Sequence, residues 1–118
     1  TGEERAVREA ETRMREALGG RLKMRELARE FGIPYDRFRR RFKALTGLAP
    51  KQYHRQLQIR RAQESLLYSE RSLGEIADEL GFDSAFHFSA AFKEHAGQSP
   101  SFWRKAKRDS TRRSAKAS

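Results

Sequence analysis

Residues 26–33 read ELAREFGI and residues 75–82 read EIADELGF, so one pattern occurs twice in the chain at an offset of 49 positions. After a one-residue insertion the match continues, with phenylalanine, lysine, glycine and proline residues in pairs. The pairs are Phe38 and Phe88, Phe42 and Phe92, Lys43 and Lys93, Gly47 and Gly97, and Pro50 and Pro100. A repeat that keeps glycine and proline together with the apolar positions predicts one supersecondary unit present in two copies.

Each copy predicts two helices joined by a tight turn. In the first copy Leu27, Ala28 and Phe31 share a helix face, and Gly32 ends that helix because glycine adopts the left-handed conformation at low cost. The apolar stripe of the second helix is Phe38, Phe42 and Leu45. In the second copy, residues 72–75 read SLGE, which is a capping box that opens a helix.

Longer helices flank the two copies. Pro50 opens a helix that runs to about Tyr68, and Pro100, after Ser99 as N-cap, opens an equivalent C-terminal helix. Residues 3–18 predict a further helix with Val7, Met14 and Leu18 turned inward. The fold class is therefore all-α, with about seven helices, no strand, and two helix-turn-helix subdomains joined by a long linker helix. The predicted divisions are an N-terminal helix (1–19), the first helix-turn-helix (20–49), the linker helix (50–69), the second helix-turn-helix with the C-terminal helix (70–107) and a disordered basic tail (108–118), which lacks apolar periodicity.

Composition and charge exclude several classes of protein. The chain is 36% hydrophobic and 36% charged, carries a net charge of +10, and contains no cysteine. It has no apolar run of the ~20 residues that span a membrane, and because of four glutamates near the N-terminus we expect no signal peptide in this sequence. Without cysteine there is no disulfide scaffold and no thiolate metal site. An isoelectric point near 10.7 indicates a polyanionic partner, most often nucleic acid.

The charge is unevenly placed along the chain. The net charge is −1 over residues 1–19, +10 over 20–61, −5 over 62–103 and +6 over 104–118. The basic first copy and the acidic second copy predict unequal shares in binding a polyanion.

No constellation of residues points to catalysis or to a metal ion. His87 and His95 are eight positions apart, too far along a helix to chelate one ion without a third ligand, and His54 lies on the linker helix. The carboxylates are scattered or paired with arginines at helical spacing. We therefore expect a protein that is not an enzyme and needs no cofactor and no metal.

The repeat and its spacing resemble the DNA-binding domain of the AraC/XylS family of bacterial transcription regulators, over roughly residues 20–106. The matching residues are Ile76-Ala77, Leu80-Gly81-Phe82, Phe88-Ser89, Phe92-Lys93, Gly97, Ser99-Pro100 and Trp103-Arg104 in the second copy, and Tyr53, Arg60 or Arg61, Ala62 and Leu66-Leu67 in the linker helix. The resemblance implies two recognition helices in successive major-groove segments ~10 base pairs apart. Family members usually carry an effector-binding or dimerisation domain as well, so we expect a piece of a larger regulator or a short single-domain member.

The helical wheel selects the side chains of the first recognition helix that would meet DNA. Asp36, Arg40 and Lys43 lie opposite the apolar stripe, with Arg39 beside them. We predict that Arg39 and Arg40 read guanine edges, and the resemblance places Asp36 with them at base-contacting positions. The predicted phosphate contacts on this helix are Arg37, Arg41 and Lys43.

The second recognition helix departs from the family pattern. Phe86 and Ala90 replace a small polar residue and an arginine, and Ser89 stands where the first helix has Arg39. For Ala85 and Phe86, contact with thymine methyl groups is the main option that remains for reading bases. An equal alternative for Phe86 is that its ring folds back onto the protein. The other predicted contacts are Ser89 with bases and His87 and Lys93 with phosphates, with a packed surface histidine as the alternative at His87.

The function predicted from these residues is sequence-specific binding of double-stranded DNA in transcription regulation, in the bacterial cytoplasm at the nucleoid, with the first unit dominant. A second hypothesis is a helical interaction module whose acidic second half contacts RNA polymerase or another protein. A third is non-specific coating of nucleic acid through the basic tail. Competitor DNA and the dependence of affinity on salt, with and without the tail, test this third hypothesis.

Overall fold

The protein is described from a computed structural model that places residues 1–20 and 23–117. Within those residues the chain forms seven helices and no strand. The helices are α1 (Gly2–Glu16), α2 (Met24–Glu30), α3 (Tyr35–Thr46), α4 (Pro50–Tyr68), α5 (Leu73–Glu79), α6 (Ala85–Ala96) and α7 (Pro100–Ala117). The all-α prediction and the two duplicated helix pairs are confirmed.

The chain divides into two compact units, Thr1–Leu57 and a second unit that begins at Gln58. The boundary lies inside α4, so this helix contributes residues to both units. Helix α1 belongs to the first unit and packs against α2 and α3.

The core of the first unit is built from small apolar residues of α1 and aromatic residues of α3. Ala6, Val7 and Ala10 are fully buried and allow α3 to approach closely, and Phe38 and Phe42 fill the space between. The Phe42 ring meets the Tyr53 ring edge-on at 5.3 Å, which ties the first turn of α4 to α3. Leu18, predicted to face inward, is half-buried and follows the end of α1.

The core of the second unit repeats this arrangement. Phe88 and Phe92 are fully buried with ring centroids 5.9 Å apart, the same separation as in the equivalent pair of the first unit. Trp103 meets Phe92 edge-on at 5.7 Å. The buried amide of Gln58 donates to the carbonyl of Leu80 at 2.6 Å and so joins α4 to the end of α5.

The helix end predicted at Gly32 is confirmed, since Gly32 follows α2 with φ of 67°. Gly47 and Gly97 follow α3 and α6 with φ of 87° and 80°, the left-handed region that suits glycine. Ser72 and Glu75 form the reciprocal capping box at the start of α5. The left-handed glycine is therefore common to both units, whereas the capping box occurs at α5 and α2 begins at Lys23 without a side-chain cap.

The prediction of a disordered tail from residue 108 differs from the structure, in which α7 continues to Ala117. No glycine or proline follows Pro100, and alanine, lysine and arginine are good helix formers. Arg108 also donates to the carbonyl of Ser69 at 2.6 Å and pairs with Glu70 at 3.0 Å. These contacts attach α7 at residue 108 to the segment that follows α4.

Candidate nucleic-acid interface

Helix α3 brings four of the predicted DNA-contacting residues to one exposed, shallow concave surface. Two residues from the corner between α3 and α4 complete it. We call this the α3 surface, and its members are Asp36, Arg39, Arg40, Lys43, Ala49 and Gln52.

The packing of α3 explains why these side chains face outward. Phe38 and Phe42 are buried against α1 and α2, and at 100° per residue the positions two before or after each of them fall on the opposite side of the helix. Arg40 lies midway between the two phenylalanines and is exposed, as are Arg39 and Lys43. The surface is thus a basic stripe on a helix whose other side is fixed in the core.

Gln52 is a member of this surface that the sequence prediction missed. It stands in the first turn of α4, and its side-chain oxygen accepts a hydrogen bond from the backbone N–H of Ala49 at 3.3 Å. A glutamine three residues after the N-cap position is a capping signal. This signal identifies the helix end, but only the packed structure shows that the residue lies beside Asp36 and Arg40.

Arg37 and Arg41, which are predicted to contact phosphates, contact acidic residues in the first turn of α1 in this DNA-free structure. Arg37 Nε lies 3.0 Å from Glu3 Oε1, and Arg41 Nη2 donates to Glu4 Oε1 at 2.9 Å. The Nε–H of Arg41 is buried without a hydrogen-bond partner, whereas the Arg37 side chain is 66% exposed. Two charges of the recognition helix are therefore already paired within the first unit.

Helix α6 presents a different surface. The Phe86 side chain is 78% exposed, so of the two predicted alternatives the structure has the ring in solvent rather than folded back. Ala90 and Lys93 are exposed, and Ala85 and Ser89 are half-buried. In place of the arginines of α3, this helix offers a phenyl ring and a methyl group.

His87 lies on the flank of α6 and is exposed. Its Nδ1 is 3.7 Å from a carboxylate oxygen of Asp83, which is itself 90% exposed at its side chain. The packed-histidine alternative does not apply, because the ring is open to solvent.

Acidic side chains of α5 are partly engaged within the second unit. Glu79 pairs with Arg71 and lies 3.9 Å from Arg61. The hydrogen bonds that Glu75 accepts from Ser72 at the capping box lower the pKa of its carboxyl. The Glu75 carboxyl therefore stays ionised near neutral pH, and helix α5 keeps this negative charge.

His54 and Tyr53 have structural partners in the first unit. His54 Nε2 donates to the carbonyl of Leu18 at 3.1 Å, and burial lowers the pKa of its ring. The Tyr53 hydroxyl donates to Glu11 at 3.1 Å, and burial raises the pKa of that hydroxyl. Throughout the described ranges, no group of three histidine or carboxylate side chains is placed to hold a metal ion.

The helices of the described part of the chain include none that is both long and apolar enough to cross a membrane. This holds for α7, in which charged residues continue to the C-terminal turns.

The sequence profile of a helix-turn-helix domain family matches residues 27–106, which include all of α3 to α6. Among curated proteins, the chain is 39% identical over 75 residues to the HTH-type transcriptional activator RhaS of Yersinia pestis. That alignment covers 64% of this chain and 28% of RhaS. The chain thus spans less than a third of the length of this relative.

Solved structures show the same architecture. The DNA-binding domain of the global transcriptional factor AdpA, crystallised with a target DNA, superimposes with a TM-score of 0.79 at 31% identity and covers 87% of this chain and 93% of that domain. The C-terminal domain of AraT, a response regulator from Geobacillus stearothermophilus, has a TM-score of 0.79 at 26% identity, covering 86% of this chain and 84% of that domain. An AraC-type regulator from Chromobacterium violaceum has a TM-score of 0.75 at 27% identity over 88% of this chain and 93% of its own.

Proposed function

The chain belongs to the AraC/XylS family of helix-turn-helix transcription regulators, and from this we propose that it binds specific sequences in double-stranded DNA and regulates transcription. The observation that carries the proposal is the α3 surface, a group of exposed charged and polar side chains on a helix anchored by buried phenylalanines. A helix of this kind fits the major groove, where base edges carry a distinct code.

In this proposal Arg39 and Arg40 donate to guanine O6 and N7, and Asp36 accepts from a cytosine amine or orients an arginine. Lys43 neutralises a phosphate, as does Arg37 after it leaves Glu3. Arg41 is a weaker candidate than its position suggests, because its guanidinium is half-buried and bonded to Glu4.

The second unit takes the smaller share of binding in this proposal. Lys93 and His87 offer phosphate contacts, while Ala85, Phe86 and Ser89 meet bases without a charged donor. The acidic charge of α5 opposes approach to phosphate. The first unit therefore supplies most of the affinity and most of the base specificity.

The role of the whole protein follows as part of the same proposal. RhaS is named a transcriptional activator, and we extend that role, without catalytic activity and at the bacterial nucleoid, to the protein that contains this chain. An effector-binding or dimerisation domain elsewhere in that protein would control it. Exposed acidic side chains of the second unit, such as Glu64, favour a contact with RNA polymerase during activation.

The test combines selection of binding sites from random duplexes with two substitutions. Arg40→Ala should weaken binding to the selected site by about 5- to 150-fold, or ~1–3 kcal/mol, and relax the preference at one base pair. Arg8→Ala, which removes an equally positive and exposed side chain from α1, should change affinity far less. Ala90→Arg in the second unit should maintain or raise affinity.

A selection that yields no preferred sequence would overturn the proposal. A small effect of Arg40→Ala together with a marked loss from Ala90→Arg would instead overturn the assignment of the dominant share to the first unit.

A further inference from the structure

The two units hold their equivalent helices by equivalent aromatic contacts. Tyr53 meets Phe42 at 5.3 Å and 89°, and Trp103 meets Phe92 at 5.7 Å and 76°. Pro50 and Pro100 begin α4 and α7 and are both fully buried. Because these buried residues are equivalent in the two units, the residue just before Tyr53 and the residue just before Trp103 occupy equivalent places, each within its own unit.

Those two residues are Gln52 and Phe102. Gln52 lies on the α3 surface together with Asp36 and Arg40. The counterparts of these three residues in the second unit are Phe102, Phe86 and Ala90, which we call the α6 surface. Phe102 is 61% exposed and Phe86 is 78% exposed, so both rings are available where the first unit presents polar groups.

We propose that Phe102 of α7 acts with Phe86 of α6 as an apolar clamp for thymine methyl groups in the major groove. This rests on the proposed function and deepens it, because it adds a residue outside the recognition helix and names the bases that the second unit selects. The thymine C5 methyl is the apolar group on the major-groove edges of the bases. Phenyl and methyl side chains have no donor or acceptor with which to select any other base.

The charges beside the two rings favour DNA over a protein as the occupant. Lys93 stands at the position of Lys43 on the α3 surface and is exposed, and the exposed ring of His87 lies on the flank. A cation next to an apolar patch suits a strand in which a phosphate follows every base. The α6 surface thus keeps a phosphate contact and replaces the polar base contacts with apolar ones.

The experiment uses the full chain and the duplex obtained by selection from random sequences. Each thymine in the segment bound by the second unit is replaced in turn by deoxyuracil, which removes only the C5 methyl group. The expected loss for a contacted thymine is about fourfold, the equivalent of ~0.8 kcal/mol for one buried methyl or methylene group. Phe86→Ala and Phe102→Ala should each abolish the loss at their own thymine and leave the others unchanged.

Tyr68→Ala is the matched control, because Tyr68 is an 84% exposed aromatic side chain of the same unit. It should leave the deoxyuracil effect intact. Far-ultraviolet circular dichroism of each variant checks that the helices remain, which is expected for exposed side chains.

Three results would overturn the proposal, and they separate it from the proposed function. Specific binding that does not change with deoxyuracil would contradict the clamp but not the proposed function. The same holds if the Phe102→Ala variant is as sensitive to deoxyuracil as the unaltered protein. Loss of self-association or of a bound protein in the phenylalanine variants, with unchanged DNA binding, would make the α6 surface a protein interface. Absence of any sequence preference would overturn both.

Discussion

Removing the carboxylates that pair with the recognition helix should make the protein bind DNA more tightly. Glu3 and Glu4 lie in the first turn of α1 and contact Arg37 at 3.0 Å and Arg41 at 2.9 Å. When either arginine turns to a phosphate, its pair with a glutamate must break. The double variant Glu3→Gln, Glu4→Gln removes this competition and leaves the side-chain volumes nearly unchanged.

The magnitude follows from the exposure of the pairs. The side chains are 66% and 32% exposed in one pair and 37% and 49% in the other, so each is a surface pair of ~0.2–1 kcal/mol. The two together correspond to a gain of about 2- to 30-fold in affinity if both arginines reach phosphates. The same variant should lose stability, by ~0.3–1 kcal/mol for each carboxylate removed from the helix N-terminus, in addition to the lost pairs.

The assay is fluorescence anisotropy on a duplex of mixed sequence, with about 30 base pairs so that it exceeds two helical turns, over a series of salt concentrations. The affinity gain should be largest at low salt and shrink as ions screen the carboxylates. Glu9→Gln is the control, because Glu9 lies on the same helix but pairs with Arg13 at 3.1 Å, away from α3. It reports the effect of one removed negative charge alone.

Unchanged or weaker binding by the double variant would refute this reasoning. It would mean that the carboxylates hold the arginines in the geometry that DNA requires. The loss of this ordering would then cost more binding free energy than the removal of the negative charges contributes.

Gly47→Ala should lower the free energy of unfolding by ~1–2 kcal/mol in urea titrations, because φ is 87° there. Gly74→Ala should instead raise the free energy of unfolding by ~0.5–1 kcal/mol, because Gly74 lies inside α5 and an added Cβ meets nothing closer than 3.9 Å. Burial lowers the pKa of His54 below its ordinary value of about 6.5. On acidification His54 is therefore protonated in the unfolded chain before it is protonated in the folded chain, and the free energy of unfolding should fall. His54→Gln should flatten the change in unfolding free energy between about pH 7.5 and 5.5, and an unaltered slope would disprove the assignment. Arg104→Ala should destabilise the second unit by ~1.5–3 kcal/mol in thermal unfolding, because the carbonyls of Leu66 and Arg71 lose their charged donor and that of Ser69 keeps only Arg108; a variant with unchanged stability would show that water replaces it.

The fold was predictable because its determinants are local and most of them occur in both units. The capping box at Ser72 and the left-handed Gly47 and Gly97 are specified by the residue types themselves. The phenylalanines at i and i+4 then define the inward face of each recognition helix. These signals depend on residues only a few positions apart, so they can be recognised in the sequence before the packing of the helices is known.

The features that escaped prediction depend on contacts between distant positions. Arg37 finds Glu3 across 34 positions only because the small residues of α1 allow it to pack closely on α3. The apolar pattern of α7 ends near Ala106, and the contacts of Arg108 with Ser69 and Glu70 lie beyond it. Gln52 was visible as a capping residue, but its place beside Arg40 follows from the way α4 meets α3.

The duplicated aromatic contacts separate the parts of each unit that fold from the parts that face outward. The rings of Phe42 and Tyr53 are matched by Phe92 and Trp103, while the exposed positions around them have diverged into a basic surface and an apolar one. Mutations can therefore accumulate in one surface without disturbing the other or the core beneath it. In such a domain the surface of one unit can change its sequence preference while the surface of the other unit keeps its contacts with DNA.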